Sequence, residues 1–152
     1  MDLSPDELAG VVDLFGGLTR AELASACVEL AHKAGHDRER AAFEGDIDAA
    51  LSGYYLVAVD DVLVVGPTAF PELPDGGADL PHILDAAERS VPPEKRGAAA
   101  EKRFRREAAS AVESDDTDRI TQLLDVSYEL EVWGPVELGE TRARLDAALE
   151  DA

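Results

Sequence analysis

The chain has 152 residues, enough for one substantial core or two small ones. Its 33 Asp and Glu stand against 14 Lys and Arg, a net charge of −19; only Lys33, Lys95 and Lys102 are lysines. One cysteine excludes an intramolecular disulfide, and no apolar run approaches the roughly 18 residues of a membrane helix.

Acidic residues are spread along every helical stretch and the apolar residues are periodic, which argues for a folded chain over an acidic tail. Such self-repulsion suits a salt-rich cytoplasm, where a Debye length of about 3 Å at 1 M salt screens surface carboxylates. The N-terminus shows no basic region followed by an apolar run, so a cytoplasmic location is expected.

The first helix has a complete start signal. Ser4 is the N-cap, Pro5 the first helical residue, Glu7 closes a capping box, and Leu3 with Leu8 are spaced as a hydrophobic staple. Leu8, Val11, Val12 and Phe15 form its stripe, and Gly16-Gly17 its stop. Thr19, Glu22, Leu18 and Leu23 repeat the device for a second helix, whose stripe is Leu23, Cys27, Leu30, Ala31 and Ala34 and whose terminator is Gly35. A third helix is predicted over 37–52, with Phe43, Ile47, Ala50 and Leu51 inward and Gly53 as stop. Residues 54–59 and 62–66, rich in β-branched and aromatic side chains, read as two strands around an Asp60-Asp61 turn. Helix–helix–helix–hairpin is the element order of a winged-helix domain.

Four prolines and three glycines mark 66–81 as a connector or surface crossover, with Phe70 and Leu73 expected to hold it to the body. Helices are then predicted over 80–89 behind Asp79 as cap, 93–113 after Pro92-Pro93, 117–132 capped by Asp115 or Asp116, and 140–150. Ile120, Leu123, Leu124 and Leu130 form the stripe of the 117–132 helix, which Trp133-Gly134-Pro135 ends. The expected fold is mainly α, α+β by its one hairpin. A winged-helix-like domain over 1–66 and a connector over 67–81 precede a C-terminal domain of about four helices over 82–152, packed on the first.

Four stretches carry a family resemblance: LAGVVDLFGGLTRAELASACVEL (8–30), GPTAFPELP (66–74), DLPHILD (79–85) and LLDVSYELEVWGPVEL (123–138). With the scarce lysine and abundant alanine and aspartate, the chain resembles a family of haloarchaeal proteins of unknown function along nearly its whole length. That resemblance implies a salt-rich setting and brings no catalytic residue, cofactor or substrate.

Catalytic and cofactor signals are weak. His32 and His36 have the four-residue spacing of two metal ligands, but Gly35 lies between them and no acid follows His32 as a metalloprotease motif requires. His82 reads as a capping or packing residue and Cys27 as a small core residue. Asp46 with Asp48, Asp60 with Asp61, and Asp115 with Asp116 read as a helix face, a turn and a cap, not as acid–base pairs. No nucleophile elbow, phosphate loop or dinucleotide fingerprint is present. No enzyme activity, metal or cofactor is expected.

Six cations fall within twelve residues: Lys95, Arg96, Lys102, Arg103, Arg105 and Arg106. At about 100° per residue, Lys95, Lys102 and Arg106 align on one helix face with Arg96 and Arg103 beside it, while Glu94, Glu101 and Glu107 interrupt the cluster. These residues either bridge to the chain's own acids or contact nucleic acid or an acidic partner. The recognition-helix position carries Arg38 and Arg40 against five acids over 37–48, and of its surroundings only its first turn, with Arg20, suits DNA. A protein-binding module, accessory to a nucleoprotein or regulatory assembly, is therefore expected ahead of a DNA-binding regulator using Arg20, Arg38, Arg40 and the 95–106 cluster, with a small enzyme third. Partner, pathway and oligomeric state are not encoded legibly.

Overall fold

The computed structural model describes residues 3–151. It is mainly helical with one small antiparallel sheet, and it divides after Val91 into two compact units.

In the first unit, α1 (Pro5–Phe15) and α2 (Arg20–Lys33) begin in the two expected capping boxes. Ser4 accepts from the Glu7 amide at 3.1 Å, and the Ser4 amide donates to Glu7 at 3.0 Å. Gly16 ends α1 at φ +76°, a conformation in which any Cβ would strike the Arg89 carbonyl at 1.8 Å. After α2, Gly35 at φ +86° lets the His36 amide donate back to the Ala31 carbonyl at 2.8 Å, a Schellman closure.

The third helix is shorter than its pattern suggests. Residues 37–39 are irregular, a 3₁₀ turn covers Arg40–Phe43, and α3 spans only Glu44–Ser52. Before Phe43 no side chain in this stretch is buried, so no burial of apolar surface rewards an earlier helical turn. Phe43, Ile47 and Ala50 are buried as expected and Leu51 partly so.

A two-residue strand β1 (Leu18–Thr19) lies between α1 and α2 and pairs with the hairpin of β2 (Leu56–Val59) and β3 (Val62–Val65), in the order β1-β3-β2. Val59 faces Val62 across the two-aspartate turn, where Asp60 takes φ +55°. Cross-strand pairing puts Leu18, Leu63, Ala58, Leu56 and Val65 on one face. Leu18, Leu56 and Leu63 enter the helical core with Leu8, Val12, Leu23, Leu30, Phe43 and Ile47. The hairpin therefore gains the support that an isolated one lacks.

Residues 66–91 form a strap over the first unit. Phe70 and Leu73 do not hold it: they are 82% and 46% exposed. Backbone contacts do so instead. The Phe70 amide donates to the Asp6 carboxylate at 2.9 Å, the Glu72 amide to the Asp6 carbonyl at 3.0 Å, and Gly10 lets the Glu72 backbone lie directly on α1. Leu80 is the buried anchor. Helix α4 is a single turn, Leu80–Ile83, not the ten residues predicted, and Asp79 does not cap it; its carboxylate receives Lys33 Nζ at 2.8 Å. Leu84 is extended, no regular element follows it up to Pro93, and the Arg89 amide donates to the Phe15 carbonyl at 2.7 Å. Residues 82–91, grouped by pattern with the C-terminal helices, thus belong to the first unit. His82 lies exposed on α4, not packed into the core.

The second unit is three helices: α5 (Pro93–Glu113), α6 (Thr117–Trp133) and α7 (Gly139–Glu150). Ala100, Phe104, Ala108 and Ala111 pack from α5, Ile120, Leu123, Val126 and Leu130 from α6, and Leu145 from α7. Asp115 takes φ +53° at the end of α5, and Asp116 then caps α6 by accepting from the Arg119 amide at 3.1 Å. Among the described residues no helix is long and apolar enough to cross a membrane.

Candidate functional site

Of the nine cations singled out from sequence, Arg20, Arg38 and Arg40 belong to the first unit and Lys95, Arg96, Lys102, Arg103, Arg105 and Arg106 to the second. Arg20, at the start of α2, donates from Nε to Glu44 at 2.9 Å and from Nη2 to Asp48 at 2.6 Å. Asp48 chiefly, then Glu44, raises its pKa, so the charge is permanent but already matched. The exposed face of α3 is left with Glu44, Gly45, Asp48, Ala49 and Ser52. Arg38 and Arg40 lie before α3, on the rim of a shallow recess that also exposes Glu29 and Glu39.

Arg96, Arg103 and Arg105 of the helical cluster are also engaged within their own unit. Arg96 lies over the Trp133 ring at 4.7 Å and donates to the Trp133 carbonyl at 3.0 Å, closing the end of α6. Arg103, only 14% exposed, donates to Glu107 at 2.8 Å, and the same carboxylate receives Arg119 of α6 at 2.9 Å. Arg105 bonds Glu101 at 2.6 Å. Lys95 is exposed. Lys102 and Arg106 are exposed and, among the described residues, have no carboxylate partner.

Arg142 of α7 pairs with Glu131 of α6, donates to Ser127 at 2.9 Å and lies 4.0 Å over the Tyr128 ring. Its guanidinium first, and the Leu138 amide second, hold Glu131 below the usual carboxylate range.

A groove between α5 and α7 was not among the sequence expectations. Arg105, Ala108, Ala109, Val112 and Glu113 form one wall, and Glu140, Thr141, Arg144, Ala147, Ala148 and Asp151 the other, around a volume of about 530 Å³. Its alanines carry no strong periodic signal, because alanine suits core, surface and groove alike. A pair of alanine steps, 108–109 and 147–148, was the trace available.

His32 Nδ1 lies 3.3 Å from Asp37 Oδ1 in the open, and among the described residues no three His, Cys, Asp or Glu side chains converge for a metal. Cys27 is fully buried, and burial, with a smaller contribution from Asp46, pushes its thiol up to about 12. That places it far from nucleophilic use at neutral pH.

Comparison with curated proteins and with solved structures returns no match. A family model does match, over residues 6–150, and the chain belongs to that family of unknown function (DUF7109).

Proposed function

We propose that this protein is a non-catalytic interaction module of a haloarchaeal cytoplasm, an accessory chain in a nucleoprotein or regulatory assembly. Its first unit is a winged-helix-like scaffold. The order helix–strand–helix–helix–hairpin and the β1-β3-β2 sheet support that reading, and the acid excess supports the salt-rich setting. The preference for a protein partner rests on Arg20. The cation best placed beside the recognition-helix position is spent on Glu44 and Asp48, leaving an α3 surface without an unpaired cation to meet phosphate.

The competing reading is a DNA-binding regulator, favoured by the exposed Arg38 and Arg40 before α3 and by the exposed Lys102 and Arg106 of α5. Anisotropy of labelled duplex DNA in about 1 M KCl tests it. No binding is expected. Binding that Lys102→Glu plus Arg106→Glu abolishes would establish the DNA reading instead. These two positions are better probes than Arg103, whose replacement would also break the Glu107–Arg119 bridge.

A further inference from the structure

We propose that the α5–α7 groove is the docking site for an amphipathic helix of a partner protein, one with acidic residues flanking the middle of its apolar stripe. The proposal rests on the interaction-module reading and specifies where that contact is made. Residues 114–116 link α5 to α6, and residues 134–138 link α6 to α7. Links that short lay successive helices antiparallel, so α5 and α7 run the same way. In four-helix bundles of this topology the fourth helix packs against the first and third. The groove occupies that position, and its Ala108, Ala109, Ala147 and Ala148 allow close approach of a helix backbone. Its α7 wall runs from Glu140 to Asp151, which a partner helix of about three turns covers.

Charge selects the occupant. Lys102, Arg106, Ala109 and Glu113 follow one another at helical spacing along the outer edge of α5, and Arg144 stands on the α7 wall. Lys102, Arg106 and Arg144 are exposed and, among the described residues, lack a carboxylate partner. Arg103, Arg105, Arg119 and Arg142 of the same unit all have one. Arg144 in the groove wall, with Lys102 and Arg106 on the adjoining edge of α5, makes three unmatched cations that, in a chain of net charge −19, call for carboxylates from outside. Residues flanking an apolar helix seam set partner choice in just this way. Glu113, Glu140 and Asp151 stand towards the groove's ends and repel acids there.

The probe is a synthetic amphipathic peptide with leucine at helical spacing and glutamate on both flanks, compared with a lysine-flanked counterpart. Each is titrated by anisotropy against the full chain in about 1 M KCl. The glutamate peptide is expected to bind roughly ten-fold more tightly than its counterpart. Ala109→Trp, at an exposed position that keeps the fold (checked by circular dichroism), fills the groove and weakens binding at least about ten-fold. Arg106→Glu plus Arg144→Glu reverses the preference. Equal binding of both peptides, binding by neither, or binding unaffected by Ala109→Trp overturns the proposal. So does a dimer, seen by light scattering, that Ala109→Trp dissolves. Affinity capture at native salt separates the two levels of failure. A stoichiometric partner retained equally by wild type and Ala109→Trp overturns the groove alone, whereas capture of no partner by either overturns the module reading and the groove with it.

Discussion

Glu22 serves two contacts with one carboxylate. It accepts from the Thr19 amide at 2.8 Å, completing the capping box of α2, and from Arg89 at 2.7 Å, tying the far end of the strap to the start of that helix. Arg89 also donates to the Gly17 carbonyl at 3.0 Å. The pair is about one-quarter exposed on each side, so solvent screens it only in part. Hydrogen bonding from Arg89, then from the Thr19 backbone, lowers the Glu22 pKa below its ordinary 4.5. A lowered carboxylate pKa stabilises the fold above pH 4.5, and that stability fades as pH falls through the folded value. Glu22→Gln keeps a capping acceptor and loses the charge, with an expected cost of about 1 kcal/mol at pH 7. Urea melts in constant KCl at descending pH check it: the difference between the two proteins should shrink below pH 4.5, and a constant difference would remove charge as its cause.

Among the elements, the strap is held by the Leu80 anchor, the Lys33–Asp79 and Glu22–Arg89 pairs and close backbone approach, and glycine reports on the last. Alanine is normally better than glycine in a helix by up to about 1 kcal/mol. At Gly45 in α3 an added Cβ would have nothing within 4 Å, so Gly45→Ala should stabilise by about half of that. At Gly10 the added Cβ would lie 2.1 Å from the Glu72 carbonyl, so Gly10→Ala should destabilise by about 2 kcal/mol or more. Thermal melts of the two variants should move in opposite directions.

The same contrast explains what could be read in advance. Ser4, Thr19, Gly16, Gly35 and Asp116 act within a few residues of themselves, so caps and stops were legible. The start of α3 and the length of α4 depend on distant partners, and their local residues are compatible with longer helices. Phe70 looked like an anchor by type, yet Asp6 and Gly10 hold the strap through its backbone, which no side-chain pattern records. The short β1 was hidden because Leu18 and Thr19 already had roles as staple and cap. The basic cluster on α5 was visible as a cluster, but which members are free depends on Glu107, Arg119 and Trp133 meeting it in space.

At the scale of the whole molecule, net charge governs the response to solvent. Pairing engages Arg20, Lys33, Arg89, Arg103, Arg105, Arg119 and Arg142, and it still leaves the chain at −19. Repulsion among the remaining carboxylates is weak while the Debye length is a few ångströms and grows as salt is withdrawn. Dialysis below about 0.5 M KCl should therefore lower the melting temperature by several degrees. An unchanged melting temperature would show that the acid excess does not govern the fold.

The proposed role of this chain, holding a protein partner, is open to affinity purification of the tagged chain from a haloarchaeal host, with salt kept at the cellular level throughout. A stoichiometric protein partner that survives nuclease treatment is the expected result. Recovery of nucleic acid alone, or of the chain alone, would contradict it.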